Sequence, residues 1–377
     1  MDPIIAATHI DPYPYYASLR AVAGLSFHQG LSLWVASSAA AVAAVLAHPD
    51  CKVRPAHEPV PKAIAHGAAG KVFGQLMRMN DGERQRCPRS AIQPGLEMLN
   101  TKAVSALVRA RLISPSADGL HKAMFMGPVC VVASLLGFTP AEGRTLSELT
   151  ADFVGCLSPL SSPAQLDAAH AAAEHLNGYF VERLSAQDHQ SPLLEGIRQR
   201  LSAPDTLLAN LIGLLSQTYE ATAGLIGNAV LALIRNPQLK SEMRRDLTRV
   251  GDLLAEVQRH DPSVQNTRRF VSAPCEIAGV SLKPGDVILV LLASANRDPQ
   301  LNDNPDAFIL DRPARRSFTF GADRHQCPGQ TLAMSIASAT LSEILTHNGA
   351  LDQLAWDYRP SLNGRIPVFR ELTGAQP

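Results

Sequence analysis

Phe320-Gly321-Ala322-Asp323-Arg324-His325-Gln326-Cys327-Pro328-Gly329 runs directly into the apolar stretch 330–339. It reads as a loop that fixes one thiol in place and then opens a helix. Cys327 stands at the mouth of that helix, where unpaired N–H groups and the helix dipole favour negative charge on sulfur. Gly321 and Gly329 let the backbone turn tightly and come close to something flat. A thiolate so placed suits the axial position of a haem iron. Taken singly, a cysteine beside a turn is more often a buried structural residue. What separates this one is the joint spacing of Phe320, Gly321, His325, Cys327 and Gly329.

Composition narrows the setting. Of 377 residues, 46% are hydrophobic, ample for a sizeable core. The 34 Lys and Arg balance 34 Asp and Glu, which excludes a dedicated nucleic-acid binder. Cysteines at 51, 87, 130, 156, 275 and 327 form no CxxC and no paired spacing, so neither a zinc site nor a disulfide framework is expected. That usage suits a reducing cytoplasm. Met1-Asp2-Pro3-Ile4 lacks the basic start and apolar core of a secretion signal, and the apolar run 39–47 is too short to cross a bilayer. A soluble, cytoplasmic protein is expected.

Helical periodicity dominates the chain. Asp11-Pro12-Tyr13-Pro14 is a turn feeding a helix over 15–22; 31–35 has strand character, and 38–46 is a helix behind serine caps. Residues 51–70 read as a long loop. The pattern is mostly helical over 102–136, then over 146–157 and 164–184, and over 239–261. The longest continuous helical pattern covers 204–235 and stops before Asn236-Pro237. At this length it spans ~45 Å. Short strands are predicted at 275–279, 280–283 and 286–292, with turns at Ala278-Gly279 and Lys283-Pro284-Gly285-Asp286, before a final helix at 330–346. The expectation is a mainly α chain with a small β region, one large domain over 1–377, its β-rich portion at about 31–36 and 264–293.

The cysteine loop resembles the haem-ligand loop of the cytochrome P450 family, Phe-Gly-x-Gly-x-His-x-Cys-x-Gly, with Asp323 standing at the second glycine. Glu256-Val257-Gln258-Arg259 alone is a commonplace helical pair. Followed by Pro262, Val264, Gln265, Thr267 and Arg269, it resembles the family's Glu-x-x-Arg helix and the strand after it. Pro305-Asp306-Ala307-Phe308, with Arg312 beyond, resembles the segment completing a Glu-Arg-Arg network. The resemblance implies the P450 fold and a haem b whose iron is bound by Cys327. It also implies Arg269 and His325 on the haem propionates, and a buried Glu256–Arg259–Arg312 cluster that scaffolds the loop. The histidine of the family's His-x-x-x-Arg pair is missing. Arg84 falls at its position in Asp81-Gly82-Glu83-Arg84-Gln85-Arg86-Cys87-Pro88-Arg89, with Arg86 and Arg89 as alternatives.

Within the long helix, Gln217-Thr218-Tyr219-Glu220-Ala221-Thr222 resembles the family's oxygen-binding helix, Ala-Gly-x-Asp/Glu-Thr. Glu220 matches the acid. The alcohol that relays protons falls on Ala221, which has no hydroxyl to give, and the groove-widening glycine falls on Thr218. Thr222 points about 100° further round. Proton delivery is then left to water held by Thr218 or Gln217, to Thr222, or to the substrate's own polar group; the space at Ala221 favours water or substrate. By resemblance the chain is a monomeric monooxygenase oxidising an apolar small molecule. It would use O2 and two electrons from a ferredoxin-type donor and its reductase, with no nucleic-acid or membrane partner. Ala221 also raises a peroxide-driven oxidant and a non-oxygenating rearrangement, and a haem-binding sensor without turnover is the non-enzymatic alternative. Pocket walls are expected from 73–77, 153–157, 214–221, 264–266, 291–293 and the C-terminal loop. Arg84, Arg86, Arg89, Arg315, Arg316 and Arg324 are expected to form a basic patch steering an acidic donor.

Overall fold

The structure, a computed structural model, describes residues 1–22, 24–110, 116–186, 191–347 and 351–372. Its axis is the 32-residue helix Pro204–Arg235. Pro204 opens it, where a missing N–H costs nothing. Asn236 ends it by capping the next helix, Pro237–Arg245, with Oδ1 accepting from Leu239 N–H at 3.0 Å. The long helix packs on Ala117–Leu135, Pro140–Phe153, Ala68–Gln75, Val250–His260 and Gln330–Thr346, and most of its residues are buried. Two glycines admit the C-terminal segment to its surface. A Cβ at Gly224 would lie 2.6 Å from Ser263 Cβ and 3.2 Å from Arg365 O; one at Gly227 would lie 3.1 Å from Pro367 Cδ.

The β portion is small and mixed. A five-stranded sheet orders Leu25–His28, Leu33–Ala36, Val287–Val290, Thr267–Val271 and Cys51–Lys52. Leu33–Ala36 runs parallel to Val287–Val290, with Trp34 opposite Ile288; the other pairings are antiparallel and set Arg269 opposite Ile288. The hairpin Cys275–Ile277/Val280–Leu282 turns through Ala278 (φ 51°) and Gly279 (φ 75°), the two left-handed residues a tight hairpin demands. A second hairpin, Leu354–Tyr358/Pro367–Glu371, stands where a loop was expected. Strands at Leu25–His28 and Cys51–Lys52 likewise lie outside the two stretches predicted.

Three predicted segments are subdivided. The 31–35 strand begins at Leu33, after a 3-10 turn over Gln29–Leu31. Residues 239–261 form two helices, Pro237–Arg245 and Val250–His260, divided where Asp246 caps the turn Leu247–Arg249. Thr101–Arg109 and Ala117–Leu135 share 102–136, residues 111–115 lying outside the described part. The supposed loop 51–70 carries a 3-10 turn at Lys62–Ile64 and opens the helix Ala68–Gln75, whose Ala69 N–H donates to His170 Nδ1 at 3.2 Å. The architecture is one mainly helical domain with a minor sheet. No helix among the described residues is long and apolar enough to cross a membrane.

Candidate active site

The cysteine loop is closed by its own backbone. Cys327 N–H donates to Phe320 O (2.8 Å), Gly321 N–H to Phe318 O (2.7 Å) and Gln326 N–H to Asp323 O (2.9 Å). Gly321 is left-handed at φ 71°, and a Cβ there would sit 3.2 Å from His325 O. Asp323 takes φ 58°, so the turn keeps its shape without glycine. Aspartate tolerates this region, and its Oδ1 accepts Arg324 N–H at 2.6 Å. Cys327 is half-buried at the head of the helix Gln330–Thr346. Burial pushes its thiol up, while Gly329 N–H and the guanidinium groups of Arg89 and Arg78 draw it back toward the thiolate.

One helix clamps the loop, and an ion cluster fixes the chain that leads into it. On the helix Glu83–Glu97, Gln85 and Arg89 lie one turn apart; Gln85 Nε2 donates to Arg324 O (2.8 Å) and Arg89 Nη1 to Gln326 O (2.6 Å). Behind the loop, fully buried Glu256 accepts from Arg259 (2.7 and 3.0 Å), Arg312 Nε (3.2 Å), Arg315 Nε (2.9 Å) and Ile309 N–H (2.9 Å). Burial alone would raise its carboxyl, but the Arg259 bonds and Ile309 N–H hold it below the usual carboxylate range. Arg315 therefore faces inward as a fourth member, not outward on a surface patch. Arg324 is also engaged, donating to Ala47 O at 3.1 Å.

On the strand side, Arg269 is 5% exposed and its Nε has no partner; Nη1 reaches only Arg268 O (2.9 Å) and Thr267 Oγ1 (3.4 Å). Burial draws its guanidinium down to about 10, with nearby Asp81 opposing. His325 Nε2 donates to Asp81 Oδ1 at 3.1 Å, and Asp81 Oδ2 accepts Val53 N–H at 3.0 Å. A buried guanidinium with an unused donor calls for an anion. An interior thiol, a cationic side chain and a histidine together fit a haem with its two carboxylates. Among the three arginines considered for the missing histidine, Arg89 touches the cysteine loop. Arg84 donates to Gly74 O (3.0 Å), and Arg86 pairs with Glu83 in solvent.

Across from the loop, Leu214, Gln217, Thr218 and Ala221 are partly accessible at i, i+3, i+4 and i+7, while Leu215, Ser216, Tyr219 and Thr222 are buried. One stripe of an otherwise packed helix thus opens onto a cleft. Thr222, at 2% exposure, lies off that stripe. Thr218 Oγ1 donates to Leu214 O at 2.8 Å, and Glu220 pairs with Arg359 at 3.3 Å. Gln217 Oε1 accepts from Arg78, which links this helix to the neighbourhood of Cys327. Phe73, Leu76 and Phe153, expected at the pocket wall, are packed into the core. Arg78, Asp81 and Gln85 escaped the sequence reading. The one available signal was Arg78 itself, a cation between two methionines just after the mostly apolar stretch 68–77.

Comparison with known proteins points to one family. The family model "Cytochrome P450" matches residues 195–348. A Xylella fastidiosa (strain 9a5c) protein named as cytochrome P450 133B2 is 32% identical, over 68% of this chain and 68% of its own. The biotin biosynthesis cytochrome P450 of Bacillus subtilis (strain 168) is 26% identical over 96% of both chains. Among solved structures, epothilone B-bound cytochrome P450epoK superposes with a TM-score of 0.81 at 20% identity, covering 100% of both chains.

Proposed function

The chain belongs to the cytochrome P450 family, whose members are oxidoreductases carrying haem b on a cysteine thiolate, and on that premise we propose that Cys327 is the iron ligand of a monooxygenase in which Ala221 hands proton delivery to water or substrate. Small organic molecules and O2 are the family's reactants; an apolar molecule is the substrate class proposed for this chain. When bound, the haem supplies the oxygen activation that no side chain provides. The observation that carries the reading is the occurrence, on one cleft, of an interior thiol backed by anion-favouring groups and a buried Arg269 with an unspent donor.

The chain's own residues have separable tasks. Cys327 holds the metal, and Gln85, Arg89 and the Glu256 cluster keep its loop from moving. Arg269 and His325 hold the propionates. Ala221 leaves room beside Gln217 and Thr218 for a water molecule or a polar group of the substrate. Thr218 already donates to its own helix, so its oxygen is left to accept a hydrogen bond. Glu220, fixed by Arg359, is the carboxylate placed to exchange protons one residue away. Electrons come from a ferredoxin-type donor approaching the exposed side of Arg84, Arg86 and Arg316. The enzyme works as a monomer in a reducing cytoplasm.

Replacing Ala221 with Thr tests the proton route through product formed per reductant consumed. An unchanged or lowered ratio is expected, because the added side chain displaces the water or substrate group. A sharp rise with the native substrate contradicts assistance by that substrate. Stable turnover with hydrogen peroxide and none with the ferredoxin pair favours the peroxide-driven reading that Ala221 also permits.

A further inference from the structure

Arg78 lies in the 3-10 turn Met77–Met79, between the helices Ala68–Gln75 and Glu83–Glu97. Its guanidinium reaches inward to the long helix and donates to Gln217 Oε1. It is surrounded by protein, which pulls it below the ordinary arginine value, with Cys327 and Glu220 in electrostatic reach. Yet its side chain remains accessible, so it lines the cleft and is not sealed in the core. No carboxylate among the described residues pairs with it. Glu220, the carboxylate in electrostatic reach, is committed to Arg359, and Asp81, three residues along the chain, to His325 and Val53 N–H.

A guanidinium that lines a cleft without a counter-ion leaves N–H donors unspent. An anion entering the cleft can use them, and a planar guanidinium offers paired donors matched to a carboxylate. Gln217 uses only part of that donor set and fixes the group's orientation. We propose that Arg78 is a carboxylate-binding residue of the cleft, taking an acid group beside Ala221 through the N–H donors that Gln217 leaves free. The haem-thiolate reading is assumed only for what surrounds that acid group. Two carriers share the chemistry: the acid end of a substrate, which would bring a polar group to the place where the alcohol is missing, or a propionate of the haem.

Two measurements on the purified holoprotein separate them, comparing the parent with Arg78→Met, Arg78→Gln and Arg78→Lys. The first is calorimetric affinity for dodecanoate against dodecan-1-ol. The second is the haem-to-protein ratio, with the rate of haem loss. A substrate carrier predicts that the parent prefers the carboxylate by about tenfold. That preference vanishes in Arg78→Met and Arg78→Gln and partly returns in Arg78→Lys, at unchanged haem content. A propionate carrier predicts faster haem loss in Arg78→Met and Arg78→Gln, restored by Arg78→Lys, without a carboxylate preference. Either pattern upholds the proposal. Haem retention and carboxylate preference both unmoved in Arg78→Met overturn it. Should Arg78→Met fail to fold, Arg78→Gln and Arg78→Lys carry the same comparison. A parent that prefers dodecanoate but shows no thiolate-type haem spectrum sinks the haem reading and leaves this one standing.

Discussion

Asp323 holds a left-handed backbone in the middle of the cysteine loop, at the place where similar loops carry glycine. A non-glycine residue there costs on the order of 1 kcal/mol, offset in part by the Asp323 bond to Arg324 N–H. Asp323→Gly should therefore leave stability within about 0.5 kcal/mol of the parent in denaturant melts, the strain relieved being set against the lost bond and glycine's greater chain entropy. The Cys327 loop was legible because its residues are consecutive and their spacing is rigid. The arginine that meets it was not. Rotation of the helix Glu83–Glu97 decides that Gln85 and Arg89 face the loop while Arg84 and Arg86 do not, and that rotation depends on packing elsewhere. Asp81 yields a pH prediction. Burial would raise its carboxyl, but His325 and Val53 N–H hold it below its ordinary value of 3.8. A depressed carboxyl contributes stability above its unfolded value and loses it as pH falls through the folded one. Asp81→Asn should thus be less stable than the parent at neutral pH, and the gap should close below about pH 4. Melting temperatures at several pH values read this directly.

Elements whose ends are written locally were the easiest to read. Pro204 starts the long helix and Asn236-Pro237 stops it, and the structure places its ends at Pro204 and Arg235. The C-terminal hairpin was missed because its strands are short, pair only with each other, and pack on the helices Ala117–Leu135 and Pro204–Arg235. Likewise Arg312 was placed in the Glu256 cluster from its motif, whereas Arg315 carried no motif and joined it through the turn of the chain. The long helix depends on close approach at Gly224. Alanine normally improves a helix interior by up to about 1 kcal/mol. At Gly224 the added methyl meets Ser263 Cβ and the Arg365 carbonyl, so overpacking of about 1–3 kcal/mol should win. Gly178, on the helix Pro163–Ser185, meets nothing within 4 Å. Gly224→Ala should lower the denaturation midpoint, and Gly178→Ala should raise it.

At the scale of the whole molecule, the balanced charge and scattered cysteines spoke only to broad class, and the mainly helical fold with a minor sheet followed from periodicity. The cleft was not visible in composition. It is drawn from distant parts of the sequence: Arg78 in the turn Met77–Met79 bonds Gln217 on the accessible stripe of the long helix and lies in electrostatic reach of Cys327 and of Arg269 on the strand Thr267–Val271. The interior thiol ties these parts to one chemistry. The most direct test is the reduced carbon-monoxide difference spectrum of the haem-loaded protein, recorded beside Cys327→His. A thiolate-type Soret band in the parent, replaced in Cys327→His by the band of an imidazole-ligated haem, is the predicted result. An imidazole-type band in the parent, or a thiolate-type band that survives the substitution, would contradict the assignment of Cys327 as the iron ligand.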